Sequence, residues 1–139
     1  MGNYYDNSYN FDGTNDEIVV SDSTAFDVGN NDMTAECWWN IYSFSGNRRV
    51  FTSGNGTSSG QKSHFQLVVT SGGIIRFDYD TTVGHSLSTA GDIVQSNDTW
   101  HHTAIQRNSS SGTPTMEIYY DGHLVASTTS NASFDMNNS

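Results

Sequence analysis

From Trp100 onward, successive side chains fall on two alternating sets. Trp100, His102, Ala104 and Gln106 share one parity, and His101, Thr103, Ile105 and Arg107 share the other, which is the period of a β-strand. A Ser-, Gly- and Pro-containing run at 108–114 breaks the pattern. Met116, Ile118 and Tyr120 then alternate with Glu117 and Tyr119, and Asp121-Gly122 supplies the turn pair of a two-residue hairpin. Residues 123–127 return as the partner strand. Three consecutive antiparallel strands within 100–127 predict an all-β fold whose function resides on loops and exposed faces.

The rest of the chain carries the same period. Residues 33–43 form the longest candidate strand, with Met33, Ala35, Cys37, Trp39 and Ile41 on an apolar, core-directed face. Thr34, Glu36, Trp38, Asn40 and Tyr42 occupy the other face. A central-strand tryptophan ordinarily packs, so Trp38 is expected under a covering loop, with sugar stacking as the alternative. Residues 50–53 give a short strand before the glycine-rich stretch 54–60. Residues 64–70 and 74–80 form a hairpin around Ser71-Gly72-Gly73, with Ile75, Phe77 and Tyr79 inward. Residues 86–89 suggest one more short strand. Near the start, Tyr5, Tyr9 and Phe11 share a parity and predict a first strand over 3–11, with 17–20 as a second. Phe26 is expected to plug the polar loop 21–32 into the core. No segment sustains helical periodicity.

A chain of 139 residues suits one domain with a single core. Only 34% of residues are hydrophobic while 12% are aromatic, a balance for a thin β-sandwich with large core rings and polar loops. Fifteen acidic residues against five Lys plus Arg give a net charge of −10. That surface repels phosphate backbones and anionic membranes, which argues against nucleic acid as a partner. No window approaches the roughly 20 apolar residues of a membrane span, so no membrane insertion is expected. Residues 1–10 lack a basic region followed by an apolar run, hence no secretory leader is read there. The lone Cys37 reads as a buried, inert thiol.

Little in the sequence carries reaction chemistry. There is no Gly-x-Ser-x-Gly elbow, zinc spacing, phosphate loop or dinucleotide fingerprint. His101 and His102 are adjacent in a strand and point to opposite faces, so they cannot chelate one ion. Packing is the expected role for His102. Calcium is the one cofactor the composition raises, because it takes about six to eight oxygen ligands. Its candidate ligands are Asp12 and Asp16 in the first turn, Asp78 and Asp80 at a strand end, and Asp121 in the hairpin. The plain alternative is that Asp12 and Asp121 stabilise Asp-Gly turns and the others are solvated.

The ordered set FDGTNDEIVV (11–20), MTAECWW (33–39), RVFTSG (49–54), IIRFDYD (74–80), WHHTAIQR (100–107) and MEIYYDGHLVAS (116–127) resembles a laminin-G-like, concanavalin A-like jelly-roll domain. The resemblance covers residues 9–129 and implies a single domain of two curved antiparallel sheets. Members of that family are mostly binding and adhesion modules, some taking glycans or a calcium ion at rim loops. Its glycosidase branch uses Glu-x-Asp-x-x-Glu, and none of Glu17, Glu36 and Glu117 lies in such a motif. Asp78 and Asp80 share a face without a feature that would raise the pKa of either. No enzymatic activity is therefore expected. The family pattern continues into a further strand beyond 129, where this chain has only Phe134 and Met136 alternating. A sandwich lacking its closing strand is expected to be completed by a strand from a neighbour.

Two expectations follow. One is a non-catalytic surface recognition module, glycan-binding or adhesive, with Trp38, Tyr42 and Tyr119 available to stack on sugar rings. The other is a structural component of a multi-chain surface assembly, such as a virion decoration or fibre protein. Both imply an extracellular or virion-surface location. The partner would be a glycan or a protein, and an oligomer is expected.

Overall fold

The computed structural model describes residues 8–12, 14–21, 23, 26, 31–53, 65–79, 85–94, 97–110 and 112–129. Eight strands run β1 (Met33–Asn40), β2 (Arg48–Ser53), β3 (Phe65–Val69), β4 (Ile75–Tyr79), β5 (His85–Ser88), β6 (Trp100–Asn108), β7 (Thr115–Tyr120) and β8 (His123–Thr129). They form two four-stranded antiparallel sheets, ordered β1-β6-β7-β8 and β2-β3-β4-β5. No helix is long and apolar enough to cross a membrane.

The two sheets bury their inward parities against each other. Leu67, Val69, Ile75 and Phe77 from β3 and β4 are fully buried, as are Ile105 and Ile118, with Met116 almost so. Trp39, Tyr79, Leu87 and Val94 complete one contiguous core. All but Val94, which enters from the 91–94 loop, sit at the inward position of a pleat, so period-two spacing converts directly into buried area. Two glycine-bearing turns make this geometry possible. Asp121 and Gly122 both adopt positive φ, at 46° and 80°, as a tight primed hairpin turn requires. Gly73 has φ +78°, and a Cβ there would stand 2.3 Å from the Val94 carbonyl oxygen. Its own carbonyl accepts the N–H groups of Ile93 and Val94, fastening the 91–94 segment beneath the β3–β4 turn.

The inward face of β6 is the more polar of its two faces. His101, Thr103 and Arg107 are buried beside Ile105, each with a partner as buried polar groups require. Trp39 Nε1–H donates to Thr103 Oγ1 at 3.0 Å, and Arg107 donates to the Asn31 carbonyl at 2.9 Å. His101 Nδ1 lies 2.9 Å from Asp121 Oδ2 and 2.7 Å from the Tyr120 hydroxyl. Its ring packs against Trp39 and Tyr120. His101 is thus buried in the core, and His102, on the opposite face, is partly covered with its ring against Trp38.

Three expectations at the N-terminal end need correction. Residues 8–12 and 17–20 are not strands, and Tyr9, Phe11, Ile18, Val19 and Val20 are exposed. Side chains there close local turns instead: Asp12 N–H donates to Asp16 Oδ2 at 2.9 Å and Thr14 N–H to Asp12 Oδ1 at 2.7 Å. These bonds close the turn between the two segments, and among the described residues neither segment pairs with a strand of either sheet. Phe26 is 48% exposed and does not plug the core. Its N–H donates to the Ser23 carbonyl in a local turn. The remainder of the proposed first strand (3–7), the glycine-rich stretch 54–60, His64, Asp80 and the segment 130–139 lie outside the described residues.

Candidate functional site

Antiparallel register places the outward residues of β1, β6, β7 and β8 in rows across one sheet face. Glu36 pairs with Ala104, Ala104 with Tyr119, and Tyr119 with Leu124. The adjacent row on one side runs Thr34, Gln106, Glu117 and Ser127, and on the other Trp38 pairs with His102. Neighbouring strands lie about 4.8 Å apart and successive same-face residues about 6.8 Å apart. Trp38 and Tyr119, two strands and one row apart, therefore stand roughly 12 Å from each other by that spacing. Ala104, small and flanked by Glu36 and Tyr119, forms the floor between them.

Trp38 is 66% exposed: among the described residues no loop covers it, and its indole faces solvent. The physical reason is parity: Trp39 takes the inward position and its hydrogen bond, which leaves Trp38 outward beside His102. The two rings meet at a centroid distance of 5.1 Å, tilted by 44°. His102 Nε2 is also 3.6 Å from Glu36 Oε2, so the imidazole is held from two sides and steadies the indole next to it. Farther across the face, the Tyr119 hydroxyl donates to Glu117 Oε2 at 2.8 Å. That bond, followed by burial and the Glu117 charge, raises the Tyr119 phenol pKa. Tyr119 therefore stays a neutral ring with an anchored hydroxyl. Tyr42 lies past the end of β1 and is 82% exposed. The structure thus joins Trp38 and Tyr119 on one sheet face and leaves Tyr42 at its margin. Asn40, near Trp38, donates to Asp98 Oδ1 at 3.4 Å.

His102, Glu36, Gln106 and Glu117 are the members of this face that the sequence reading does not assign to a binding site. The signal was present. With Ile105 inward, strand alternation alone obliges His102 and Gln106 to face outward.

The opposite sheet has a different character. On its outer face, Arg49 donates to Gln66 Oε1 at 3.0 Å, Gln66 donates to Asp78 Oδ2 at 2.8 Å, and Arg76 Nε lies 2.9 Å from Asp78 Oδ1. This is a self-paired polar network without an exposed described ring. The candidate calcium ligands are dispersed accordingly. Asp78 is engaged by Arg76 and Gln66, Asp121 by His101 and the His102 N–H, and Asp12 and Asp16 by their own turn. Among the described residues no three Asp, Glu, His or Cys side chains gather into a cation-binding cluster.

A family model described as the concanavalin A-like lectin/glucanases superfamily matches residues 12–139. No curated protein matches the sequence. Among solved structures, the chain is similar to the CBM40 module of the Ruminococcus gnavus IT-sialidase bound to α2,3-sialyllactose. The TM-score is 0.61 and the identity 19%, over 75% of this chain and 56% of that one. The same module bound to α2,6-sialyllactose gives a TM-score of 0.57 at 19% identity, over 71% and 55%. At that identity the likeness is one of fold, and the chain spans a little over half the length of these structures.

Proposed function

We propose, for a chain that belongs to the concanavalin A-like lectin/glucanases superfamily, that it is a non-catalytic glycan-binding module whose ligand lies on the outer face of the β1-β6-β7-β8 sheet. The observation that carries this reading is Trp38, a large apolar ring presented to solvent mid-strand among polar side chains. An exposed indole of this kind costs hydration without returning packing, and it suits the apolar face of a pyranose ring. His102, Glu36, Gln106 and Glu117 surround it with groups that hydrogen-bond sugar hydroxyls. Tyr119, roughly 12 Å away by strand spacing, offers a second ring within reach of an oligosaccharide. Sialyllactose binding by the structurally similar sialidase modules supports carbohydrate as the ligand class. The carboxylates of this face lie in no glycosidase motif, and a binding role outside the cell fits them.

A glycan array read with the wild type and Trp38→Ala tests this. Binding of a defined set of oligosaccharides, lost in the variant, is expected. An array without a hit, or hits that the variant retains, would refute it.

A second reading, a component of a surface assembly that exchanges strands with a neighbour, is favoured by the exposed run Ile18, Val19 and Val20. Consecutive β-branched side chains outside any sheet are a ready strand donor. Sedimentation of the wild type against a triple Ser variant of these positions tests it: a larger species collapsing to monomer supports it, and an unchanged monomer removes it.

A further inference from the structure

Resting on the sheet-face site proposed above, we infer that this site selects uncharged glycans and discriminates against sialylated, sulfated or otherwise acidic ones. The charged acceptors on the described face are two carboxylates, Glu36 and Glu117, and no described Lys or Arg stands beside them. Glu36 pairs across the strands with Ala104 and Glu117 with Gln106, which sets one carboxylate on each side of the Ala104 floor. The Glu36 side chain is 64% exposed. Carboxylate oxygens accept hydrogen bonds from sugar hydroxyls, and an uncharged glycan supplies many such donors. A glycan carboxylate or sulfate supplies none and meets like charge instead.

The four described arginines are placed elsewhere. Arg49 and Arg76 belong to the outer face of the other sheet, where Gln66 and Asp78 engage them. Arg48 donates to the Ser43 carbonyl and Ser45 Oγ in the turn before β2. Arg107 points inward and is buried. Lys62 lies outside the described residues. His102 is the one basic side chain on the described face, and it stands against Glu36. With a net charge of −10 for the whole chain, the long-range field adds to the local one. The ligand class therefore differs from that of the sialidase modules which share the fold.

Two like charges about 6 Å apart at a solvated surface cost roughly a 3- to 10-fold loss of affinity for each opposing carboxylate. The experiment measures the tightest neutral glycan from the array beside its sialylated and sulfated counterparts, at low salt, with wild type, Trp38→Ala and the double variant Glu36→Gln/Glu117→Gln. The expected result is preference for the neutral glycan by about 3-fold or more, a gap narrowed in the Gln variant, and binding abolished by Trp38→Ala. Equal or tighter binding of the acidic counterpart, still lost in Trp38→Ala, would overturn the inference while leaving the site in place. Failure to bind any glycan, or binding that Trp38→Ala leaves unmoved, would overturn both.

Discussion

Asp121 ties the β7–β8 turn to the end of β6, and replacing it should destabilise the sandwich measurably. Its Oδ1 accepts the His102 N–H at 2.8 Å, and its Oδ2 lies 2.9 Å from His101 Nδ1. Its backbone holds φ 46°, a conformation that Asp and Asn tolerate and Ala does not. Hydrogen bonds to a charged group contribute about 1.5–3 kcal/mol each when shielded. The carboxylate is 41% exposed, so screening reduces the pair to roughly 1–3 kcal/mol in all. The left-handed backbone costs Ala about 1 kcal/mol more. Asp121→Ala should therefore lose about 2–4 kcal/mol, or roughly 6–15 °C in melting temperature for a chain of this size. Asp121→Asn keeps the turn preference and one acceptor, so it should lose about 1 kcal/mol. The pH dependence gives an independent check. Burial alone would push the Asp121 carboxyl up. The His102 N–H, the His101 hydrogen bond and the two imidazole charges outweigh it and hold the carboxyl below its ordinary value of 3.8. A carboxyl depressed in the folded state stabilises fully above the ordinary value, and that contribution is lost as pH falls through the lower folded value. The gap between wild type and Asp121→Asn in urea melts should be present at pH 5 and shrink as pH falls below about 4. An Asp121→Ala protein melting within about 2 °C of wild type, or a gap that widens in acid, would refute the reasoning.

Three further outcomes follow from the packing. Phe77→Ala empties a fully buried position between the sheets and should cost about 3–5 kcal/mol in denaturant midpoint analysis. Gly73→Ala places a Cβ 2.3 Å from the Val94 carbonyl oxygen at φ +78°. It should cost more than about 2 kcal/mol and raise amide exchange at Ile93 and Val94 first. Burial, aided by the Glu36 charge, pushes the Cys37 thiol up to about 11. Alkylation at pH 8 should be on the order of 100-fold slower in the native protein than in urea, and equal rates would contradict that burial.

Most of the sandwich was legible because period-two alternation and turn chemistry agree there. In β3, β4, β6 and β7 the apolar parity, the Asp121-Gly122 pair and the Gly72-Gly73 turn all point to one register. The N-terminal segment misled for a physical reason. Tyr9 and Phe11 alternate as a strand would, but alternation states only that a strand could form. It does not supply a partner strand, and Tyr9 and Phe11 stay exposed. The inward face of β6 was illegible for another reason. His101, Thr103 and Arg107 look like surface residues, and the long-range partners Asp121, Trp39 and Asn31 that allow their burial cannot be seen in the local sequence. The candidate site was half visible: Trp38 and Tyr119 stood out as rings. Alternation places Trp39 inward and Trp38 outward, but whether an outward ring is covered or open to solvent depends on long-range packing that local sequence does not carry. His102 and the two glutamates become a site only once β1, β6 and β7 lie side by side.

Titration of the ¹⁵N-labelled protein with its tightest array glycan, followed by backbone and indole chemical shifts, tests the central assignment most directly. Saturable shifts should centre on the Trp38 indole N–H and spread over His102, Ala104 and Tyr119 across β1, β6 and β7. Shifts confined to the Arg49–Gln66–Asp78 face of the other sheet, with Trp38 unmoved, would contradict it.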